Sequence, residues 1–565
     1  MSFYTDASLV MIPSGYKDQK VYCAKPVDGS ADLTFSRGSD IEATRVASNG
    51  FIQKAKVNLL LQSNSYDTTW ASASVTEAGG QTGYDGSSDA WLLEKNALNG
   101  RLQQVIVSSG VQTFSVYAKA GTKNWTSLMV TTGSGDRVCF FDLQNGVTGF
   151  NANLIEKKIE AVGTSGWYRC SITFNETSAT ARIYVSDGNN DNSGTSGNIY
   201  IQDAQLNYGL VAQEYQETTT TSVVSGITND LPRLDYSGGA SCPSLKLEPS
   251  RSNILPQSEF FGASWSASNI TITSNATTSP EGVENATTIE NTSASNYLVY
   301  GASVTASTTY QFSFYAKNVD ATVANVIFYD ASNSAVISTT SYVGDLTTEW
   351  KRLDFSVTTP VGCTSLNINI VNGLSGSMHI WGAQLEAGAY ATSYIPTYGT
   401  SATRTAEECK KTGISSLIGQ TEGTLFVEVD TAVLGDIYGG NNRRFLTISD
   451  GTTNNRIVIA QNRTTDAINL AVITSATLVA DISTASNQSG IKKIAVGYAN
   501  NDFVLYVNGV QIGTDTSGGV PPCSRLGVGV YETAAQNYNA ACPIKQALLF
   551  KTRLSNSDLA ALTSL

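Results

Sequence analysis

One stretch of this chain pairs ring side chains with hydrogen-bonding groups at strand spacing. Residues 199–206 read IYIQDAQL and residues 378–385 read MHIWGAQL. Ile199 and Ile201, like Met378 and Ile380, share one parity, which reads as the core side of a strand. The other parity offers Tyr200 and Gln202 in one place and His379 and Trp381 in the other. Residues 114–119 (FSVYAK) and 312–317 (FSFYAK) add Tyr117 with Lys119 and Tyr315 with Lys317 on their own outward parity. A sheet face of this kind suits a pyranose. The C–H face of the sugar stacks on a ring while amides and hydroxyls bind its hydroxyl groups. Trp91, in 89–94 (DAWLLE), corresponds to Thr287 in 285–290 (NATTIE) and joins the candidate glycan contacts. The competing reading packs each of these rings under a neighbouring domain or subunit.

Other chemistries find little support. His379 is the single histidine, which argues against Ser-His-Asp and Cys-His catalysis. A glycosidase needs two carboxylates roughly 5–10 Å apart; among 47 Asp and Glu no local motif points to such a pair. The chain is therefore expected not to be an enzyme. The glycine pairs at 238–239 and 518–519 lack the lysine and helix of a phosphate loop. None of the eight cysteines forms a CxxC or sits with histidine at metal-ligand spacing, so they read mostly as buried free thiols, with a Cys523–Cys542 pair left open. No cofactor and no catalytic metal is expected; Asp85, Asp89 and Asp203 are candidates for a structural calcium.

Positioning such groups requires a scaffold, and 565 residues predict three or four domains. Hydrophobic residues at 41 % fill several cores and argue against disorder. A net charge of −12 argues against nucleic acid as a partner. No run approaches ~18 apolar residues and the first twenty residues show no secretion signal, so manufacture in a cytoplasm without a membrane anchor is expected.

The scaffold is duplicated. Residues 58–63 (NLLLQS) with Trp70 return as 253–258 (NILPQS) with Trp265. The FSVYAK block returns as FSFYAK, 167–169 (WYR) as 350–352 (WKR), and IYIQDAQL as MHIWGAQL, all in one order. Trp70/Trp265 and Trp167/Trp350 are kept in both copies and read as packing residues; Trp125, near Val323 in the alignment, reads as core. Short alternating blocks separated by Gly, Ser, Asn and Asp predict an all-β chain. Jelly-roll sandwiches are expected at 58–218 and 253–397, and links at 219–252 and 398–420. A third sandwich is expected at 421–565, with strands near 424–430, 456–460, 493–498, 503–507, 526–531 and 546–550. Asn508-Gly509 predicts a two-residue hairpin turn, and Ser555 caps a short helix with Asp558 in its first turn.

The run NLLLQS…W, FSVYAK, WYR and IYIQDAQL resembles family-4/9 type carbohydrate-binding modules, which are β-jelly rolls, and the second copy resembles them equally. Residues 33–46 (LTFSRGSDIEATRV), 231–255 (LPRLDYSGGASCPSLKLEPSRSNIL) and 381–397 (WGAQLEAGAYATSYIPT) resemble segments of tailed-bacteriophage structural and fibre proteins. Residues 492–518 and the closing LSNSDLAAL resemble concanavalin A-like (laminin-G-like) lectin sandwiches. The resemblance implies a virion surface protein of fibre, spike or decoration type. Residues 1–57 would be an anchoring arm. The partners implied are other virion proteins, bacterial surface polysaccharide and two further copies in a homotrimer. A spacer without sugar binding and a polysaccharide depolymerase are the alternatives. The depolymerase is disfavoured because a parallel β-helix would show short repeated coils.

Overall fold

The computed structural model describes residues 3–262, 264–293, 296–371, 373, 376–431, 442–462, 464–530 and 543–564. The chain is all-β. The first jelly roll opposes two six-stranded antiparallel sheets. One runs Glu156–Val162, Trp167–Asn175, Val111–Ala120, Gly197–Tyr208, Ala90–Lys95, Val75–Gln81. The other runs Val147–Ala152, Gly135–Asp142, Trp125–Thr132, Ser178–Ser186, Arg101–Ser108, Ala71–Ala73.

The second jelly roll repeats this order with five strands per sheet. One is Lys351–Thr358, Thr309–Asn318, Ser377–Ala387, Ala286–Asn291, Ile270–Thr277. The other is Ala335–Ser341, Asn325–Asp330, Ser365–Val371, Tyr297–Ser303, Ser266–Ser268. The edge strands Val147–Ala152 and Glu156–Val162 have no counterpart there among the described residues. The alternation read from sequence produces the cores: Phe114, Val116 and Ala118 pack inside the first unit, Phe312, Phe314 and Ala316 inside the second. Trp70 and Trp265 lie in these cores, each donating its indole N–H to the carbonyl of Gln62 or Gln257. Trp167 is buried on the outer parity and Trp350 is half-buried. Trp125, expected in the core, is half-buried outside it; the buried parity of its strand belongs to Thr126, Leu128 and Val130.

Each copy carries the same bulge. Pairing slips between Ser115 and Tyr117 opposite Asp203, and between Ser313 and Tyr315 opposite Gly382. Asp203 (φ 53°) and Gly382 (φ 66°) supply the left-handed residue that lets the strand resume with its inward side chains, Ala204/Leu206 and Ala383/Leu385, facing the core.

The expected arm and links are corrected. Leu9–Met11 pairs with Ile544–Phe550, which also meets Ser244–Lys246 and Glu422–Asp430. Leu33–Ser36 pairs with Glu408–Thr412, which pairs with Arg525–Val528. Residues from 1–57, 219–252 and 398–420 thus complete both sheets of the third sandwich, and Leu9, Met11, Phe35, Leu234, Leu245 and Cys409 sit in its core. The two jelly rolls are insertions into this sandwich. Each enters and leaves through a paired neck: Lys56–Asn58 with Val223–Ser225, and Arg251–Asn253 with Ala402–Arg404. An insertion needs its ends side by side, and these ladders hold them so.

Where the segments converge, Arg37, Arg233, Arg404, Glu248 and Glu407 form a buried charge cluster. Arg233 donates to Glu407 Oε1 (2.6 Å), Glu248 Oε2 (2.8 Å), the Thr44 carbonyl (2.9 Å) and Ser393 Oγ (2.7 Å). Against the pull of burial, Arg404 and Arg233 hold the Glu248 carboxyl well below the usual carboxylate range. Within 421–565 the expected strands of the third sandwich fall at Glu422–Asp430, Arg456–Gln461, Ile491–Ala499, Asp502–Val507, Arg525–Val528 and Ile544–Phe550, and Arg443–Ser449, Ile468–Thr474, Thr477–Ser483 and Val510–Asp515 join them. Asn508 (φ 49°) and Gly509 (φ 81°) make the expected turn, and Ser555 Oγ accepts from the Asp558 N–H at the helix Asn556–Thr563. Cys23, Cys139, Cys170, Cys363, Cys409 and Cys523 are buried free thiols and Cys242 is exposed; Cys542 lies outside the described residues.

Candidate functional site

The register sets the expected residues side by side. Tyr117 lies opposite Gln202 and Lys119 opposite Tyr200; Tyr315 lies opposite Trp381 and Lys317 opposite His379. What covers these two equivalent faces differs.

On the first jelly roll the loop before Ala90–Lys95 folds onto the face. The Tyr84 ring stacks on Tyr117 at 3.9 Å between centroids and 10° between planes. The Arg169 guanidinium lies 5.3 Å from the same ring. The Tyr84 N–H donates to Gln202 Oε1 (3.0 Å), and its hydroxyl donates to Asp203 Oδ2 (2.8 Å). Gln202 is 1 % exposed and gives its amide N–H to Asp89 (2.8 Å), so it staples the loop rather than facing solvent. Tyr200 is half-buried on this face. Trp91 is not on it: it pairs with Ile201 on the inward parity, stands edge-on to Tyr66 at 5.9 Å, and donates to the Asn64 carbonyl. Burial pushes the Asp203 carboxyl up to about 6, with Asp89 and Asp85 adding repulsion against the Tyr84 hydrogen bond. Asp85 and Asp89 are engaged by Ser87 and Gln202, and among the described residues no cluster of acidic, His or Cys side chains is arranged to hold a metal ion.

On the second jelly roll Trp381 is fully buried, which removes it from any solvent-facing platform. Ile52, Ala286 and Tyr394 pack around it, and the Lys54 ammonium lies 5.7 Å from its ring. The cover comes from the segment that leads into the first neck. His379 is half-buried; its Nδ1 shares a 2.8 Å hydrogen bond with Thr288 Oγ1, and Trp350 lies 6.4 Å away. Burial, with Lys317 assisting, lowers its pKa and keeps the ring neutral at pH 7.

Tyr315 stays accessible. Trp381 meets it edge-on at 5.5 Å and Arg352 lies 5.7 Å from its ring. Among the described residues no ring stacks on it. It lines a cleft of about 770 Å³ between the second jelly roll and the third sandwich, together with Arg352, Asp354, Tyr390, Asp235 and Lys246. Of the seven expected residues, only Tyr315 reaches this cleft. Arg352 is fixed by the Thr392 carbonyl (2.6 Å) and Ser313 Oγ (2.9 Å), and Asp354 by Gln311 (2.7 Å). The Tyr390 hydroxyl is buried without a hydrogen-bond partner among the described residues. Such a wall offers a ring and both charge signs, with a volume suited to a few sugar units.

Sequence reading missed Arg352, Asp354 and Tyr390. Arg352 and Asp354 alternate outward in the strand Lys351–Thr358, a signal that was present. Tyr390 and Asp235 reach the cleft only through the insertion topology.

A scan against protein-family models gives no match, and a search of curated proteins gives none. Solved structures give similarities. One is the CBM40 carbohydrate-binding module of Ruminococcus gnavus IT-sialidase bound to α2,3-sialyllactose. It is 14 % identical, with 27 % of this chain and 86 % of that one covered, at a TM-score of 0.23. Another is domain 4 of the Geobacillus stearothermophilus arabinanase AbnA with arabinotriose, at 14 % identity, 32 % and 81 % coverage and a TM-score of 0.23. A third is the CBM22-1–CBM22-2 tandem of Paenibacillus barcinonensis Xyn10C, at 10 % identity, 62 % and 99 % coverage and a TM-score of 0.20. At such TM-scores the fold of this chain rests on its own sheets, and those ligands belong to those proteins.

Proposed function

We propose that this chain is a bacteriophage surface protein of fibre, spike or decoration type that attaches to host glycans without cleaving them, through the cleft beside Tyr315. The observation that carries the reading is the contrast at one position: Tyr117 is capped by Tyr84, whereas Tyr315 opens into the cleft with Arg352, Asp354 and Tyr390. A saccharide would stack on Tyr315 and exchange hydrogen bonds with Asp354 and Arg352. One such site is weak. A homotrimer would present three, and the second contact made by one particle is intramolecular. The virion context is supported by the resemblance of residues 33–46 and 231–255 to phage segments, the same segments that supply Arg37, Arg233 and Glu248 to the charge cluster.

The test is a glycan array probed with the full chain and with Tyr315→Ala. Retention of a defined glycan class, weakened at least about tenfold in the variant, is expected. Equal binding by the variant would overturn the site. An array without signal would favour the spacer reading, which the burial of Trp381 and Gln202 also favours. Release of reducing ends from host capsular polysaccharide would replace binding by hydrolysis. Imaging of labelled protein on particles tests the virion surface as its location.

A further inference from the structure

Beside Trp381 lies a buried group of reactive side chains that the sugar reading does not use. Lys54, 7 % exposed, arrives from the third sandwich's N-terminal segment. Its Nζ lies 2.7 Å from Glu259 Oε1 and 2.7 Å from Glu281 Oε2, both on the second jelly roll. Asn285 is 1 % exposed, and its Nδ2 donates to the same two carboxylates, at 3.3 Å to Glu259 Oε2 and 2.9 Å to Glu281 Oε2. Amine and amide therefore share two carboxylate neighbours. The Asn285 Oδ1 is buried and has no hydrogen-bond partner among the described residues. Rings wall the site: Trp381 and Tyr398 lie 5.7 and 5.8 Å from Nζ, and the Tyr394 hydroxyl donates to Glu259 (2.9 Å).

One cation faces two carboxylates, Glu259 buried and Glu281 partly so, an excess of negative charge that favours a proton on one of them. Burial raises the Glu259 pKa, with Glu281 adding repulsion against the pull of Lys54. Although burial opposes it, Glu259 and Glu281 hold Lys54 as an ammonium at rest. The group therefore contains a nucleophile, a base, an acid and an amide within one buried contact network, which is the constellation that amide exchange requires.

We propose that Lys54 and Asn285 become joined by an intramolecular amide bond formed by the protein itself. Glu281 takes a proton from the Lys54 ammonium. The free amine attacks Cγ of Asn285. The protonated Glu259, with Oε2 3.3 Å from Nδ2 and Oε1 2.7 Å from Nζ, gives its proton to Nδ2 and takes the one that Nζ sheds as the new bond forms. The Nζ–Cγ bond forms and the Cγ–Nδ2 bond breaks. Ammonia leaves with the proton held by Glu281, as ammonium, and Glu259 ends protonated as it began. No oxidant or cofactor enters, and the lysine's charge departs with the leaving group. The bond ties the third sandwich to its second insertion across a charge-paired contact, a strut suited to a protein under mechanical load.

Intact mass spectrometry of the full chain tests this. The expected mass is about 17 Da below that of the sequence, the loss of one ammonia. A tryptic digest is expected to yield a branched peptide joining Lys54 and Asn285, with no cleavage after Lys54. Asn285→Ala and Glu259→Gln are expected to restore the sequence mass. Should either variant fail to fold, the wild-type digest decides alone. A wild-type mass equal to the sequence, with cleavage after Lys54 and a linear peptide bearing Asn285, would overturn the bond and leave a simple ion pair.

Discussion

The two jelly rolls share strand order, inner packing and a bulge, yet present different outer faces. Both lock their entry strand with an asparagine: Asn58 Nδ2 donates to the Ala204 and Gln216 carbonyls, and Asn253 Nδ2 to those of Ala383 and Ile395. Both hold an arginine against the outward tyrosine, Arg169 at Tyr117 and Arg352 at Tyr315. The difference lies in the cover. The first face is closed by its own loop through Tyr84. The second is closed over Trp381 by the Ile52–Lys54 segment and left open at Tyr315. A duplicated scaffold thus fixes where outward side chains stand, while the chain laid across it decides which of them meet solvent.

Breaking the charge cluster should separate the units most strongly. Arg233→Met leaves Glu407 and Glu248 buried without their shared partner, a loss of about 3–5 kcal/mol. The cluster reaches the second neck through Arg404 and Ser393. Urea unfolding followed by domain-resolved hydrogen exchange should therefore show the third sandwich and second jelly roll weakened, with the first spared.

The two tyrosines should respond in opposite ways. Tyr315→Ala is expected to cost glycan binding about tenfold, whereas Tyr117→Ala leaves binding intact and lowers the first unit's stability by about 1–3 kcal/mol. Tyr84→Ala, which uncovers Tyr117, should add rather than remove binding, read by titration on the same glycan. Unchanged binding in all three would remove the functional contrast between the two faces.

Acidity should act through Asp203 and His379 in opposite directions. The Asp203 carboxyl is raised to about 6 from an unfolded value of 3.8, so the contribution of Asp203 to the folded first unit is fully present below about pH 4. That stability is lost as pH rises through 6. His379 is lowered in the folded state, so the contribution of His379 to the second unit is present above the ordinary histidine value of 6.5 and is lost as pH falls below it. Asp203→Asn and His379→Gln should flatten the respective trends in melting curves recorded from pH 4 to 8.

The smallest effect concerns the bulge. Gly382→Ala places a Cβ 3.3 Å from the Tyr315 ring at a φ of 66° and should cost about 1 kcal/mol in thermal unfolding. Asp203→Gly removes the corresponding strain in the first unit and should cost no more than the lost Tyr84 hydrogen bond.

The repeat, the inward parity of Phe114 and Phe312, the Asn508-Gly509 turn and the Ser555 cap were legible because each is a local signal of two to eight residues. The strands Leu9–Met11, Arg233–Asp235 and Ser244–Lys246 were not. Three residues are too few for alternation to register, and these strands exist because a distant sheet offers them an edge. The outward parity of Tyr117, Gln202, Tyr315 and Trp381 was also legible, but their exposure was not.

Sequence by itself determined that this chain is built from two copies of one sandwich and which side chains those copies turn inward, because strand periodicity is set by neighbouring residues. Tertiary structure alone decided that the ends and links form a third sandwich, that Tyr84 and Ile52 cover two candidate platforms, and that Tyr315 opens on a cleft. Those outcomes depend on contacts between residues well separated in sequence, from Tyr84 on Tyr117 to Leu9 beside Leu549, which local pattern does not encode.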